Sequence, residues 1–160
     1  MLNYVNGDAT NPESDGPKVI IHCCNNIGKW GAGFVLALSK KWPVVEKEYK
    51  KWYQGQMNDS YCTGKFGLGN VQFVLVGSDT WVANIIGQDG IYVDNEGNPP
   101  IRYPSIRRGL QEVKSFASFR GASIHMPKMG AGLAGGNWDT IEGLVKDELV
   151  GLNITVYNWP

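Results

Sequence analysis

Two stretches of the chain share one design, an apolar run followed by a Gly-X-Gly loop and a helix-forming segment. Val19 to Cys24 leads into Gly31-Ala32-Gly33, and Ala122 to Met126 leads into Gly130-Ala131-Gly132 with Gly135-Gly136 behind it. Glycines admit positive φ and let backbone N–H groups approach a ligand closely, and a helix N-terminus after them favours an anion. Two such loops at the carboxyl ends of strands read as a phosphate cradle. Neither loop matches GxxxxGK followed by Ser or Thr, and no GxGxxG with an acidic residue about 20 positions on sits in a first βαβ unit. Walker-type NTPase and Rossmann dinucleotide chemistry are therefore excluded.

Several side chains near the loops carry further chemistry. His22 lies three residues before Asn25, and an imidazole near its ordinary pKa can activate water or protonate a departing oxygen; the alternative is a core histidine with its hydrogen bonds satisfied. His125 sits near the carboxyl end of the second apolar run, so the two histidines can form a pair facing one ligand, with core packing again the alternative. Cys23 and Cys24 read as small buried hydrophobes rather than nucleophiles. Arg102 either lays its planar fork over a phosphate or begins a solvated helix. No Cys/His set has zinc-ligand spacing, so neither a metal nor a cofactor is expected.

The hydrophobic pattern supplies the elements that position these groups. Leu2 to Asn6 alternates and ends at Gly7-Asp8, a short strand running into a turn, and Asn11 to Pro17 is dense in turn formers. Lys18 to Cys24 is apolar on both faces, which requires a sheet covered by helices on each side. Phe34, Leu36, Ala37, Leu38 and Trp42 give a helical stripe ending before Pro43, and Val44 to Trp52 a second helix; Gln54 to Asn70 has no regular pattern. Val71 to Val76 and Trp81 to Ile86 form a hairpin across Gly77-Ser78-Asp79-Thr80, so part of the sheet is antiparallel. Gly87 to Pro100 is a long loop of the kind that often forms a lid. Ile106, Leu110, Val113 and Ala117 recur at helical spacing with Ser105 as a cap. Ala122 to Met126 is a strand, Trp138 to Leu149 a helix and Ile154 to Tyr157 the last strand. These elements specify an α/β fold, a three-layer α/β/α sandwich with a mixed central sheet.

The 160 residues correspond to one domain, 1–160, at roughly 150 residues per domain. Fifteen Lys and Arg balance fifteen Asp and Glu, which removes the electrostatic footprint of a dedicated nucleic-acid or anionic-membrane binder. The longest apolar runs, such as Phe34 to Leu38, fall far short of the ~20 residues of a membrane span. Met1 to Gly7 has no signal-peptide pattern. A cytoplasmic monomer with reduced thiols and no membrane association is expected.

In this order the residues resemble the macro domain, a family that binds ADP-ribose. Asn6-Gly7-Asp8-Ala9-Thr10, Val19-Ile20-Ile21-His22-Cys23-Cys24-Asn25, Trp30-Gly31-Ala32-Gly33, the run His125 to Gly136 with Trp138 after it, and the closing Ile154-Thr155-Val156-Tyr157 cover nearly the whole chain. The resemblance implies that Asp8 accepts a hydrogen bond from the adenine amino group, with Ala9 beside it in the binding site. It implies that Asn25 holds the distal ribose through a side chain that both donates and accepts, and that Tyr157 stacks on adenine. The backbone of Gly130, Ala131, Gly132, Leu133, Ala134 and Gly135 would wrap the diphosphate. That of Gly31, Ala32, Gly33 and Phe34 would meet the distal ribose. Read as residues alone, Asp8 and Asn25 serve equally as turn formers and Tyr157 as a core aromatic.

The strand Ile21-His22-Cys23-Cys24-Asn25 is similar to a branch containing phosphatases of ADP-ribose 1''-phosphate and glycohydrolases of terminal ADP-ribose. The glycohydrolases of that branch use a lysine and an aspartate. The matching stretches here, Asn84 to Gln88 and Gly132 to Gly135, contain neither. The leading expectation is hydrolysis of ADP-ribose 1''-phosphate with His22 and Asn25 as catalytic residues. The alternatives are a non-catalytic reader of ADP-ribose or of ADP-ribosylated macromolecules, and a deacetylating or de-ADP-ribosylating hydrolase on the same site.

Overall fold

The computed structural model describes residues 1–159. In chain order the elements are β1 (Leu2–Asn6), β2 (Lys18–Asn25), α1 (Phe34–Lys41), α2 (Pro43–Tyr53), β3 (Tyr61–Cys62), β4 (Val71–Leu75), β5 (Thr80–Gln88), α3 (Tyr103–Arg120), β6 (Ser123–Met126), α4 (Trp138–Glu148) and β7 (Ile154–Asn158). All seven strands join one sheet in the order β1-β7-β6-β2-β5-β4-β3. The pairs from β1 through β5 are parallel, and β5-β4 and β4-β3 are antiparallel.

Strand alternation divides the core in two. Val19 and Ile21 of β2 face Ile106, Leu110 and Val113 of α3 and Ile141 of α4. Ile20 and Cys24 face Leu38 of α1 and Val45 and Tyr49 of α2. The central strand is thus buried on both faces, as its unbroken apolar run requires, and the architecture is the three-layer α/β/α sandwich. Among the described residues no helix is long and apolar enough to cross a membrane.

Three local readings of the sequence need correction. Ser105 does not cap α3: the helix begins at Tyr103 after Arg102, without a side-chain cap bond. Pro104, whose fixed φ and missing N–H suit a first turn, makes the start. Leu36 is 56% exposed and lies off the buried stripe of α1, which holds Leu38 instead. The stretch 54–70 contains the two-residue β3, which closes the sheet edge against β4 through Tyr61 and Cys62.

The carboxyl ends of the five parallel strands lie along one edge of the sheet, where ligands of open α/β sheets bind. Pairing slips there: Cys24 opposes Ile86 but Asn25 opposes Gln88, so Gly87 is extruded as a bulge. Its carbonyl accepts from Arg102 N–H at 2.8 Å, which ties the start of α3 to the same edge. Bulges of this kind re-aim side chains beside sites.

Two glycines test the packing in opposite directions. A Cβ on Gly109 of α3 would lie 2.5 Å from Ile85 Cγ2, whereas one on Gly143 of α4 would meet nothing within 4 Å. Gly109→Ala should lower stability by about 1–2 kcal/mol despite better helix propensity. Gly143→Ala should raise it by about 0.5–1 kcal/mol. Urea midpoints at unchanged m-value read both.

Candidate functional site

Three cavities follow one another along the carboxyl edge. An outer cavity of about 380 Å³ is lined by Asp8, Glu13, Ser14, His125, Thr155 and Tyr157 among others. A middle cavity of about 240 Å³ lies between the two glycine loops, with Ala32 and Gly33 on one side, Lys128, Gly130 and Gly132 on the other, and His22 and Cys23 beneath. A far cavity of about 560 Å³ is lined by Asn25, Gly28, Lys29, Trp30, Gly31, Lys50, Gln88 and Ile91. The middle and far cavities share Cys23, Ala32, Val35, Gln88 and Leu133 and form one trough.

Both loops are held rigid while their amides stay open. In the second loop Gly136 N–H donates to Gly130 O at 2.7 Å, Gly135 N–H to Gly132 O at 3.0 Å, and Ile101 N–H to Ala134 O at 3.2 Å. The N–H groups of Gly132, Leu133 and Ala134 have no partner among the described residues. Gly136 must be glycine, because a Cβ there would sit 2.5 Å from Gly130 O, a backbone atom that cannot move aside. In the first loop Gly33 has φ 79° and ψ −144° and precedes α1 without a side-chain cap, a conformation that only glycine adopts readily. Phe34 and Val35 line the middle cavity and their first-turn amides have no partner among the described residues, which makes a ready anion site.

In the outer cavity Asp8 Oδ1 accepts from both Thr10 N–H and Thr10 Oγ1–H at 2.8 Å, leaving Oδ2 for a ligand donor. Tyr157 OH is bound to His125 Nδ1 at 2.7 Å. His125 Nε2 lies 2.8 Å from Ser123 Oγ and 3.1 Å from Ser14 Oγ. This buried imidazole therefore joins β6, β7 and the 11–17 loop beside Asp8. Of the two readings of the histidines, the structure shows no pair at one ligand: they share a face of the sheet but line different cavities.

His22 is 2% exposed. Its Nε2 is 2.5 Å from Asn84 Oδ1; Asn84 Nδ2 donates to Gln72 Oε1 at 3.0 Å, and Gln72 Nε2 to Glu48 O at 2.9 Å. These three residues are successive partners across β2, β5 and β4, a polar row inside an apolar layer in which each side chain satisfies the next. Trp30 meets the imidazole edge-on and Phe34 tilts against it. Burial drives the His22 pKa down to about 4, although the Asn84 bond opposes the shift. The premise of an imidazole titrating near its ordinary value is thus incorrect, and at neutral pH His22 is uncharged. Burial also pushes the Cys23 thiol up to about 12 and raises that of Cys24, which keeps both protonated.

Asn25 ends β2 with its side chain turned on its own loop. Oδ1 accepts from Ile27 N–H at 3.0 Å and Lys29 N–H at 3.1 Å, Nδ2 donates to Lys29 O at 2.8 Å, and Tyr49 OH donates to the Asn25 carbonyl at 2.7 Å. Its acceptor capacity is spent, so only one Nδ2 hydrogen is free for a ligand; the expected donating and accepting role reduces to donation. Arg102 does not cover a phosphate. Its guanidinium donates to the carbonyls of Pro99, Pro100 and Ile101 and lies 3.6 Å from Asp89, clamping the long loop. Ala9, Ala131 and Gly135 line none of the three cavities: Ala9 is buried and Gly135 backs onto Pro99. Lys29, Lys128, Gln88, Ile91 and Glu13 line them and were not singled out from sequence. Lys29 sits inside the first glycine loop, and that position was the available signal.

Among the described residues no group of three or more His, Cys, Asp and Glu is placed to hold a metal ion. Fold and cleft together define an α/β/α sandwich with a two-loop nucleotide-type trough at the strand ends. No family model matches the chain. A macrodomain protein of Streptomyces coelicolor is 43% identical, with a TM-score of 0.84 over 99% of both chains, and this chain belongs to the macrodomain family. A Bacteroides thetaiotaomicron protein of unknown function is 50% identical, with a TM-score of 0.92 over 98% of this chain and 97% of the other. The ADP-ribose 1''-phosphate phosphatase of Meyerozyma guilliermondii is 27% identical over 97% of this chain and 98% of its own length. The Danio rerio chromodomain-helicase-DNA-binding protein 1-like is 30% identical over 98% of this chain, which spans only 15% of that protein.

The two neutral histidines make stability depend on pH. Both pKa values fall to about 4 from an ordinary 6.5, through burial in each case and, for His125, the neighbouring Lys18 charge. The unfolded chain then binds protons more readily than the folded one below pH 6.5. Their contribution is complete above 6.5 and is lost as pH falls from there towards about 4. The pair should cost roughly 2–3 kcal/mol at pH 5.5 relative to pH 7.5. Denaturation midpoints measured at both pH values check this, and a flat profile would refute it.

Proposed function

We propose that the trough binds ADP-ribose and that the protein hydrolyses ADP-ribose 1''-phosphate to ADP-ribose and inorganic phosphate. The observation that carries this reading is the order of groups along the cleft. Carboxylates and a tyrosine that is buried but lines the cavity suit an amino-bearing base at the outer end, open amides suit a diphosphate in the middle, and a larger cavity with two lysines suits a ribose with an anionic substituent at the far end. The resemblance of the whole chain to a named ADP-ribose 1''-phosphate phosphatase supports the same reaction.

In this reading Asp8 Oδ2 accepts from the base amino group and Tyr157 packs against the base. The amides of Gly132, Leu133 and Ala134, and those of the first turn of α1, hold the diphosphate oxygens. The free Nδ2 hydrogen of Asn25 binds a distal ribose hydroxyl. Water attacks phosphorus, the bond from phosphorus to the ribose oxygen breaks, and that oxygen takes up a proton. His22 contributes as the neutral, fixed partner of Trp30 and Phe34, holding the first loop in position rather than carrying that proton.

A second reading, a non-catalytic reader, is favoured by one observation. The imidazole and both thiols beneath the trough are held in neutral forms that are poor acids and bases near pH 7.

Phosphorus NMR of the protein with ADP-ribose 1''-phosphate tests both. A growing inorganic phosphate peak with shifted diphosphate resonances is expected. Shifted resonances without phosphate release leave a reader or a hydrolase with another leaving group, which parallel incubations with acetyl-ester and ADP-ribosyl-protein conjugates separate. Neither shift nor release overturns the assignment. Gly136→Ala, whose Cβ would press on Gly130 O, should weaken ADP-ribose binding at least about tenfold while the fold persists, as calorimetry and a melting curve would report.

A further inference from the structure

Lys29 stands out in the far cavity because its backbone is fixed and its charge is free. The side chain of Asn25 grips it on both sides, accepting from Lys29 N–H at 3.1 Å and donating to Lys29 O at 2.8 Å. Its neighbours are anchored as well. Gly28 has φ +73° and lies so close to the Tyr53 ring that a Cβ would come within 2.4 Å, and Trp30 Nε1 donates to Ser39 Oγ at 2.7 Å. A loop rich in glycine is thus immobilised at the one residue that carries a long cationic side chain. The Lys29 ammonium itself has no ion-pair or hydrogen-bond partner among the described residues.

Around it, the charged side chains lining the far cavity are both cations, Lys29 and Lys50. Lys50 is already paired with Glu46 at 2.6 Å, which leaves Lys29 as the uncompensated charge. Ile91, Leu133, Val35 and Trp30 supply apolar walls, next to which a charge is less well screened than in open water. A neutral ester or amide on the distal ribose would leave this cation unused, whereas a phosphomonoester would meet it.

We propose that Lys29 is the specificity-determining residue of the far cavity, reading a phosphate on the distal ribose, with Asn25 as the positioning residue that aims it. This rests on the ADP-ribose reading above and adds which substituent the site selects and which residue selects it. Lys29 is exposed, so its charge-assisted contact gives a modest but measurable preference.

The test compares two ligands on wild type, Lys29→Gln and Lys29→Arg. Calorimetry measures ADP-ribose binding, and initial rates, or calorimetry if there is no turnover, measure ADP-ribose 1''-phosphate. For Lys29→Gln, ADP-ribose affinity should stay within about twofold, while KM or Kd for the phosphorylated ligand rises about five- to tenfold with a smaller change in kcat. Lys29→Arg should restore most of the preference, and added salt should narrow the gap between wild type and Lys29→Gln. Equal weakening of both ligands, or no change in either, overturns the proposal while leaving ADP-ribose binding intact. Failure of wild type to bind ADP-ribose overturns the reading beneath it and the proposal together.

Discussion

The cleft depends on one constraint: backbone N–H groups must remain unpaired at its surface, yet the segments carrying them must not move. An unpaired amide is tolerated only where water or a ligand reaches it, and a loop that lacks internal bonds usually loses its shape. Here the bonds are made beside the open donors rather than by them. Gly136 N–H and Gly135 N–H brace the second loop from behind, and Ala134 O is held by Ile101 N–H. The Asn25 side chain substitutes for backbone partners in the first loop. Arg102 extends the scheme, since its contacts with three successive carbonyls fix the segment that supplies Ile101. A side chain that in isolation suggests phosphate binding is thus consumed in holding the frame.

The polar row His22-Asn84-Gln72 is the sheet's counterpart to these braces. An apolar residue at any of the three positions would fit the surrounding layer, but a single replacement would strand the neighbours' hydrogen-bonding groups in a dry core. The row also ties β2, β5 and β4 together directly beneath Trp30 and Phe34. Rigidity in the sheet is thereby passed to the first glycine loop. The cost is chemical: burial that makes the row rigid also removes His22 from titration near neutrality.

Most of the fold was legible because its signals are local or periodic. The two-sided apolar run of β2, the proline that stops the stripe of α1 and the short turn joining the apolar runs of β4 and β5 each specify an element without knowledge of its neighbours. The failures arise where partners distant in sequence decide. Tyr61 and Cys62 have no strand pattern of their own and become β3 only because β4 offers an edge. His22 reads as a titrating imidazole until the neighbouring strands, with Trp30 and Phe34, pack over it and bury it. Asn25 reads as a side chain that both donates to and accepts from a ribose until the first loop folds back and occupies its oxygen. Residue type indicates which chemistry is possible; the competition among partners in the folded chain decides which survives.

Net charge illustrates the same point at larger scale. Fifteen positive and fifteen negative side chains sum to zero, a balance that conceals an ordered separation within the site. Asp8 and Glu13 line the outer cavity, Lys128 the middle one, and Lys29 with Lys50 the far one. Such a gradient orients an elongated ligand that carries hydrogen-bond donors at one end and anionic groups towards the other, and penalises the reversed pose by setting carboxylates against phosphates. Polarity along a cleft, rather than charge on a molecule, is what a nucleotide-like ligand would sense, and it arises only when loops separated by a hundred residues are brought to one edge of a sheet.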